Sequence, residues 1–376
     1  MDNTTATLLS EGENVFRLPL SLKILCISFY SLLCIFSVYG NLLVIMVIIY
    51  FRRLRTATNI LILNLAIADL LIGIFCMPFS YWQILIFDDQ RWIFGSALCS
   101  VLSFFQGAAV FLSSWTLVVI SFDRWMAITF VLAPSMRLTR RRATYMVITT
   151  WIFSLTMALP LFLVTQQVTE EGVHRCVEKW NYFHDEESAK KIYSYLVLAL
   201  QYSVPQTVLI ITYTYIGVKM WNSRVPGVGS ASTKKIIVER HQSVKKLIPM
   251  VVLVSALFAI CWLPLLLLFN IILDVWPELN YWNYILYLWW FCHGLAMLHS
   301  IVNPLIYFLR NARFREGFLF FSSRIMPFIK FDELRLLTDN SRRPYQRGKG
   351  LKMMAYVPIA SSSPPKTKTT MITQHR

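Results

Sequence analysis

The sequence predicts an all-α membrane protein, a seven-transmembrane helix bundle with a short amphipathic helix after the last span. Of its 376 residues, 56% are hydrophobic and 15% are charged, which is too apolar for an ordinary soluble domain. The apolar residues cluster in seven runs of bilayer-spanning length, and in hydrocarbon a helix satisfies its own backbone hydrogen bonds. The predicted spans are about 22–50, 59–86, 96–129, 144–165, 191–221, 245–273 and 282–309.

The regions around these spans define four parts of the chain. Residues 1–21 form a polar N-terminal arm without a basic stretch and apolar core, so no cleavable signal peptide is predicted. The bundle covers 22–309. Residues 310–322 place Phe314 and Phe318 on one helical face beside arginines, as in a helix lying on the membrane surface. The polar, basic composition of 323–376 predicts a disordered cytoplasmic tail.

The distribution of Lys and Arg predicts the orientation, because cytoplasmic loops carry an excess of both residues. With the N-terminus outside, 29 of the 36 Lys and Arg residues lie on the inner side, and the other seven are Arg17, Lys23, Arg91, Arg175, Lys179, Lys190 and Lys191. The net charge of +16 therefore faces anionic lipid and cytoplasmic partners, and no nucleic-acid partner is expected. We expect a multi-pass plasma-membrane protein with an extracellular N-terminus.

The predicted outer side carries two covalent features. Asn3-Thr4-Thr5 is an N-glycosylation acceptor. Of the seven cysteines, only Cys99 and Cys176 lie at outer positions, and an extracellular loop is oxidising, so these two should form a disulfide. The disulfide would close a loop of roughly 77 residues, for which chain-entropy estimates give a stabilisation of about 4 kcal/mol.

Four motifs within the spans are chemically unusual. Asp69 lies mid-span, where an ionisable residue costs about 3 kcal/mol, so it has a functional role or is a neutral, hydrogen-bonded structural residue. Asp123-Arg124 ends span three, where charges also serve as interface anchors. Pro264, in Cys261-Trp262-Leu263-Pro264, kinks span six. Asn303-Pro304-Leu305-Ile306-Tyr307 closes span seven with a helix-breaking pair, which indicates a place that moves.

Taken in order, these landmarks resemble the rhodopsin-like (class A) G-protein-coupled receptors over roughly 22–321. The resemblance implies a two-state bundle that a ligand shifts toward a state activating a heterotrimeric G protein. It does not imply an enzyme, since we find no nucleophile–base pair and no metal cluster in the sequence. The matching residues are Gly40-Asn41, Leu65 to Asp69, Cys99 with Asp123-Arg124, Trp151 with Pro160, Pro205 with Tyr213, Cys261 to Pro264, and Asn303 to Tyr307.

The resemblance also implies roles for single residues. Arg124 would be held by Asp123 at rest and released to meet the G protein, while Tyr213 and Tyr307 would swing inward to support the active state. Trp262 would lie under the ligand and pass its movement to Pro264. A sodium pocket that favours the resting state would consist of Asp69, as the metal-binding carboxylate, with Ser113, Ser300 and Asn303. No cofactor other than this allosteric sodium ion is expected.

Three departures from the family pattern bear on these roles. Trp125 replaces the usual Tyr after Asp-Arg, which alters the surface facing G protein or arrestin. His299 replaces an Asn of the sodium pocket; it either weakens sodium binding or adds pH sensitivity, or is a neutral core histidine. The base of span six has Val244, Lys245 and Lys246, none of which can pair with Arg124. Measurable basal activity is therefore expected.

The ligand class follows from a narrower resemblance, to receptors of the neuropeptide Y, neuropeptide F and RFamide group. Gln106 is uncharged where amine receptors have an Asp, which argues against amines. Peptides of this group commonly end in an amidated Arg-aromatic pair, and acids on the outer side suit a cationic ligand, although solvated loops are often acidic. The motifs that carry this resemblance are Cys76 to Phe79, Trp92 to Gly95, Phe104 to Gln106, and Asn311 to Glu316.

The expected ligand-binding residues are Gln106, Trp262, Tyr284, Glu178 and Asp274. Aromatic residues at span ends also form interfacial belts, so Tyr284 has an alternative role. Relatives often place an Asp nine residues after the span-six Pro. Here Leu273 holds that position and Asp274 follows, a rotation of about 100° on a regular helix, which leaves the register of this anchor open.

Further partners are expected at the inner face. Receptor kinase and arrestin would act on the Ser- and Thr-rich tail, and membrane lipid would contact the amphipathic helix.

Two alternative functions stay open. One is a class A receptor for a small molecule. The other is a channel or transporter, which would need several intramembrane charges, whereas Asp69 is the only Asp, Glu, Lys or Arg deep in a span.

Overall fold

The described part of the chain contains seven helices that are long and apolar enough to cross a membrane. The structure is a computed structural model, and it describes residues 19–81, 91–130, 138–170, 172–222, 231–282 and 284–325. The predicted glycosylation acceptor Asn3 and residues 326–376 of the predicted tail lie outside the described residues. The seven spans are Leu20–Tyr50, Ala57–Tyr81, Ser96–Thr129, Arg140–Val164, Glu186–Lys219, Pro249–Ile272 and Ile285–Arg310.

The helices and strands follow this order along the chain. Span two contains α2 (Ala57–Leu71) and α3 (Met77–Tyr81), and span five contains α6 (Glu186–Val197) and most of α7 (Val204–Asn222). Span six contains the part of α8 (Ala231–Leu267) from Pro249 onward. Short 3₁₀ helices cover Arg52–Leu54 and Pro277–Tyr281. The other elements are α1 (Leu20–Tyr50), α2 (Ala57–Leu71), α3 (Met77–Tyr81), α4 (Ser96–Thr129), α5 (Arg140–Val164), β1 (Thr165–Glu170), β2 (Val173–Glu178), α6 (Glu186–Val197), α7 (Val204–Asn222), α8 (Ala231–Leu267), α9 (Leu273–Val275), α10 (Ile285–Arg310) and α11 (Ala312–Ile325).

Polar capping residues explain why two helices start earlier than their apolar runs. The Thr139 side chain accepts a hydrogen bond from the Arg142 amide at 3.3 Å, so α5 begins at Arg140 rather than near 144. The Asp185 carboxylate accepts the Ser188 amide at 3.0 Å, so α6 begins at Glu186 rather than near 191. A hydrogen bond from the Ser188 side chain, and then this backbone bond, lower the pKa of Asp185. Caps of this kind satisfy otherwise unpaired amides of the first turn.

Three π-helical segments interrupt the spans, and the apolar runs do not indicate them. They are Ile72–Cys76 in span two, Leu198–Ser203 in span five and Leu268–Ile272 in span six. A π-helical turn accommodates one extra residue and often occurs at functional sites. Each segment therefore changes the direction of the residues that follow it, compared with a regular helix.

A β-hairpin between α5 and α6 lies within the region that we had expected to be a loop. β1 and β2 pair antiparallel from Thr165 opposite Glu178 to Glu170 opposite Val173. Gly172 has a φ of +80°, which glycine adopts without a Cβ penalty. The predicted disulfide Cys99–Cys176 is present and joins β2 to the start of α4. The "hairpin end" below is the end of the bundle that carries β1 and β2, and the "Arg124 end" is the opposite one.

The core lies where α4 contacts α2, α5, α7 and α8, and where α10 contacts α1 and α8. Its fully buried side chains include Val44, Leu65 and Leu117. Helices α1 and α10 approach closely at Gly40, where a Cβ atom would lie 2.8 Å from Cγ of Pro304. Only glycine permits this approach, and buried Asn41 and Asn303 directly adjoin the two contacting residues in the chain.

The helix that follows span seven, α11, packs on the bundle. The aromatic face that we expected to lie on membrane is covered by protein, since Phe314 is 0% and Phe318 5% exposed. Phe314 lies against Tyr307, with ring centroids 5.6 Å apart. A Cβ atom at Gly317 would lie 2.7 and 2.8 Å from the two methyl groups of Val47. The helix covers Ala312–Ile325 rather than 310–322.

Candidate functional site

A buried polar cluster connects three helices around Asp69. Its carboxylate is inaccessible to solvent and accepts Nδ2 of Asn303 at 2.5 Å and the Ser113 hydroxyl at 3.5 Å. These residues come from α2, α10 and α4, and the fold brings their side chains together. Because each bond crosses between helices, the cluster senses any movement of α10 against α2 and α4.

Ser300 does not reach the Asp69 carboxylate through its side chain. Its hydroxyl donates to the Met297 carbonyl in its own helix at 2.9 Å. Its backbone carbonyl accepts Nδ2 of Asn41 at 2.9 Å, which links α10 to α1. Ser300 is therefore part of the helix contact beside the cluster, and in this conformation its hydroxyl is not directed at Asp69.

The oxygen atoms of the cluster fit a hard cation such as sodium. Hard cations prefer oxygen ligands, and the cluster offers the Asp69 carboxylate, the Ser113 hydroxyl and Oδ1 of Asn303. That Oδ1 is buried and has no hydrogen-bond partner among the described residues. His299 contributes no oxygen; its ring is buried edge-on to Phe258 with centroids 4.9 Å apart. We find no group of three His, Cys, Asp or Glu suited to a metal ion in the described chain.

At the Arg124 end, Asp123 and Arg124 form a buried ion pair, with side chains 8% and 6% exposed. Thr58 of α2 completes it: its hydroxyl donates to Oδ2 of Asp123 at 2.8 Å, and the Arg124 guanidinium donates to the same hydroxyl. The guanidinium is thus held by its own helix and by α2. The side chains of Val244, Lys245 and Lys246 lie outside the described part.

The two tyrosines that the resemblance assigns to activation, Tyr213 and Tyr307, lie on α7 and α10. The hydroxyl of Tyr213 on α7 is 3.4 Å from that of Ser255 on α8, a hydrogen bond that joins spans five and six. Tyr307 on α10 is 3% exposed and packs against Phe314 of α11. Each tyrosine therefore contacts a different helix, and among the described residues neither is hydrogen-bonded to Arg124 in this conformation.

A line of rings connects the middle of span six to span seven. Trp262 is 5% exposed and stacks on Phe258, with centroids 6.0 Å apart, and Phe258 contacts His299. Pro264 follows within α8, and Pro304 lies within α10. A displacement of Trp262 would therefore be transmitted through two rings to the helix that carries Asn303.

The remaining predicted ligand residues lie at the hairpin end. Gln106 is half-buried on α4, next to Phe105, which stacks on Phe75 at 5.3 Å. Glu178 ends β2, is exposed, and accepts Nε1 of Trp180 at 3.4 Å. Tyr284 is 60% exposed and precedes α10. Within the described residues, no hydrogen bond or ion pair joins Gln106, Glu178 and Tyr284 to one another.

The π-helical segment of span six affects the direction of backbone position 274. It covers Leu268–Ile272, between Pro264 and Asp274. A regular helix rotates by about 100° per residue, and a π-helical turn contains one extra residue. Each residue after the turn therefore takes the direction that its predecessor would have in a regular helix. Backbone position 274 therefore points where position 273 would point in an uninterrupted helix. The Asp274 side chain itself lies outside the described part of the chain.

Comparison with known proteins identifies the family. The profile of the 7 transmembrane receptor (rhodopsin family) matches residues 40–307, which include every landmark from Gly40 to Tyr307. The chain belongs to this family. Neuropeptide receptor 22 of Caenorhabditis elegans is 63% identical to this receptor over 362 residues, or 96% of the receptor and 83% of the relative.

More distant relatives match most of the receptor. The RYamide receptor of Tribolium castaneum is 35% identical over 303 residues, 78% of each chain. The neuromedin-K receptor of Oryctolagus cuniculus is 34% identical over 315 residues, 82% of this receptor and 64% of the relative. The predicted family and the seven-span fold are thereby confirmed, and the family is one of receptors, not of enzymes.

Two buried polar contacts of the receptor had not been predicted. Asn64 donates to the Thr116 hydroxyl and accepts Nε1 of Trp151, both at 2.8 Å, and so joins α2, α4 and α5. Tyr30 of α1 and His293 of α10 are joined by a 2.8 Å hydrogen bond between Oη and Nδ1. The signal for both was present as a polar residue within an apolar run, which marks a buried partner without identifying it.

Proposed function

We propose that this receptor recognises an extracellular neuropeptide of the amidated RFamide or neuropeptide Y type and activates a heterotrimeric G protein. The observation that carries the proposal is the 63% identity with a relative named Neuropeptide receptor 22, over 96% of this chain. The RYamide receptors support the amidated Arg-aromatic ending. The hairpin end and the N-terminus would face outward from the plasma membrane, and the Arg124 end would face the cytoplasm.

The chemistry of the hairpin end supports a cationic peptide. Gln106 offers a neutral amide rather than the carboxylate that would bind an amine. Exposed acids such as Glu178 favour the approach of a basic peptide. The π-helical segment supports Asp274 as the partner of the ligand's Arg, because it returns backbone position 274 to the direction in which relatives carry their Asp.

Activation would shift the bundle between two packings. In the conformation described above, Arg124 is held by Asp123 and Thr58, and Asn303 is held by Asp69. A peptide that presses on Trp262 favours the packing in which these contacts separate, in proportion to its preference for that state. A sodium ion, when bound by Asp69, Ser113 and Asn303, would add positive charge that stabilises the closed cluster.

Further parts of the proposal concern the N-terminal arm, the tail, α11 and the base of span six. Asn3 would be glycosylated, and receptor kinase would phosphorylate Ser361, Ser362 or Ser363 so that arrestin binds. The exposed arginines of α11 would contact lipid headgroups. Basal signalling is expected, since Val244, Lys245 and Lys246 offer no acid to Arg124. Signalling of the ligand-free receptor equal to that of receptor-free cells would contradict it.

The test is a peptide screen in cells that express the receptor, with a promiscuous G protein and a calcium readout. The panel holds amidated Arg-Phe and Arg-Tyr peptides, their free acids, and amines. We expect a response that requires the amide and weakens in Gln106→Ala and Asp274→Ala. Asp185→Asn, at an exposed acid outside the predicted ligand site, is the control. A response to an amine but to no peptide would overturn the proposal in favour of a small-molecule receptor.

A further inference from the structure

The short connection between spans six and seven forms a cleft at the hairpin end. It begins at Trp276, continues through the 3₁₀ helix Pro277–Tyr281 and reaches Trp282. The cavity has a volume of about 490 Å³ and is lined by Trp276, Glu278, Leu279 and Trp282. We call it the Trp276 cleft. None of these four residues has a role in the ligand site proposed above.

The backbone of this connection fixes the walls of the cleft. The amide of Trp276 donates to the Ile272 carbonyl at 2.9 Å, which ties the connection to span six. The amides of Leu279 and Trp282 donate to the carbonyls of Trp276 and Leu279, both at 3.1 Å. Pro277 occupies the first turn of the 3₁₀ helix, where its fixed φ is already favourable. The two indoles are therefore presented by a hydrogen-bonded turn.

Exposure and charge identify what the cleft is suited to bind. Trp276 is 57% and Trp282 47% exposed, and Glu278 between them is exposed and forms no ion pair within the described chain. Exposed tryptophans at span ends commonly insert into the lipid interface. A carboxylate lining the same cavity disfavours hydrocarbon there, because burying an unpaired charge is costly. The cleft thus favours an aqueous ligand.

Two aromatic faces and one carboxylate are complementary to a cation. A guanidinium or ammonium group is attracted to the face of an indole, and Trp is the strongest of the aromatic residues in this respect. Arg adds a planar group that stacks on the ring while donating to a carboxylate. A neutral or acidic side chain would gain neither contact, so the cleft selects for positive charge.

We propose that the Trp276 cleft binds a basic side chain of the peptide ligand, located N-terminal to its amidated end. This inference rests on the proposed peptide ligand. The position along the peptide follows from the fold: Gln106 is half-buried on α4, whereas the cleft lies in an exposed connection after α9. A peptide whose C-terminus enters toward Gln106 leaves its preceding residues at this rim.

The first experiment does not depend on the peptide. Purified full-length receptor in lipid nanodiscs is mixed with argininamide or with citrullinamide, its uncharged analogue, and contact is measured by saturation-transfer NMR. We expect transfer to argininamide that exceeds transfer to citrullinamide and that falls by at least half in Trp276→Ala and Glu278→Gln. Matched controls are Tyr182→Ala, an aromatic residue that is 71% exposed, and Glu186→Gln, an exposed acid.

The second experiment exchanges charges between receptor and peptide. Glu278→Gln should reduce the potency of the most active panel peptide by up to about fivefold, the scale of an exposed ion pair, because both indoles remain. Glu278→Arg should reduce it further. Replacing one basic residue of the peptide by Glu should restore potency on Glu278→Arg while lowering it on the unmodified receptor. Potencies are compared at equal surface expression, so that a folding defect is not mistaken for lost binding.

The outcomes separate this inference from the proposed function. If every panel peptide is silent, the peptide proposal fails, and the NMR experiment alone decides whether the cleft binds cations. If peptides activate but Glu278→Gln, Trp276→Ala and the charge exchange change nothing beyond the control variants, the cleft proposal is overturned. Equal transfer to argininamide and citrullinamide also overturns it, because the cleft would then not select charge.

Discussion

At the scale of single residues, Thr58 shows what the sequence could not reveal about the Arg124 end. Asp123 and Arg124 are adjacent in the chain, so their pairing could be predicted from the motif. Thr58 comes from α2, and its contact with both charges depends on how α2 is rotated against α4. One hydroxyl that donates to the carboxylate and accepts from the guanidinium makes the pair a three-membered cluster.

The first prediction concerns this cluster. Asp123→Asn removes the negative charge and should raise ligand-independent signalling several-fold, because a hydrogen bond to a charged group contributes about 1.5–3 kcal/mol. Thr58→Val keeps the shape and removes only the hydroxyl, so its effect should be smaller and in the same direction. Calcium signalling at matched surface expression measures both. Unchanged basal signalling in Asp123→Asn would mean that this ion pair does not restrain Arg124.

A second residue-scale prediction concerns Asn64. Asn64→Ala leaves Nε1 of the half-buried Trp151 without this partner, which costs about 1–3 kcal/mol for an unsatisfied group, while the Thr116 hydroxyl keeps its bond to the Leu112 carbonyl. We expect a lower melting temperature of the purified receptor, measured by thermal-shift assay. Thr156→Ala is the control, since that hydroxyl is exposed and bonds only within its own helix. Equal melting temperatures for the two variants would contradict the structural role of Asn64.

At the scale of elements, the apolar runs predicted all seven spans, whereas local irregularities stayed hidden. Hydropathy does not register the caps Thr139 and Asp185, because they precede the apolar residues. The π-helical segments and the β-hairpin depend on backbone hydrogen bonds that no residue type specifies. The sequence alone therefore does not determine the direction in which backbone position 274 points, because that direction depends on the π-helical segment Leu268–Ile272.

The third prediction tests how α11 is attached. Gly317→Val places side-chain atoms where both methyl groups of Val47 already lie, so the overpacking should cost about 1–3 kcal/mol and loosen α11 from α1. Hydrogen–deuterium exchange should increase across 312–325. Gly217→Val is the matched control, because a Cβ atom at Gly217 has no neighbour within 4 Å. Similar exchange in both variants would show that the close contact is not what holds α11.

At the scale of the whole molecule, the order and number of spans were predictable and their packing was not. The family could be recognised from the motifs because each motif occurs in its own span and all follow the family's order. Which faces of α1, α4 and α10 meet is decided by close contacts such as Gly40 with Pro304, which compositional patterns do not encode. The residues of the Asp69 cluster could be named from the sequence only because the resemblance to the family implies how these helices pack.

The fourth prediction concerns the disulfide that connects distant parts of the chain. Cys176→Ser removes a link across 77 residues, for which the chain-entropy scale gives about 4 kcal/mol as an upper estimate. We expect lower surface expression and a lower melting temperature, measured by antibody labelling and thermal shift. Cys26→Ser, at a free cysteine of α1, is the control. Comparable losses in both variants would indicate sensitivity to any cysteine replacement.

The β-hairpin is attached to the region around α4 at three points: the Cys99–Cys176 disulfide, the Trp92 amide bonded to the His174 carbonyl, and the Ser100 hydroxyl bonded to the Thr165 carbonyl. A hairpin held in this way does not act as a lid that must open first. Peptides should then associate at rates of about 10⁵–10⁷ M⁻¹s⁻¹, set by diffusion and orientation. Differences in affinity among peptides would appear as differences in residence time on the receptor.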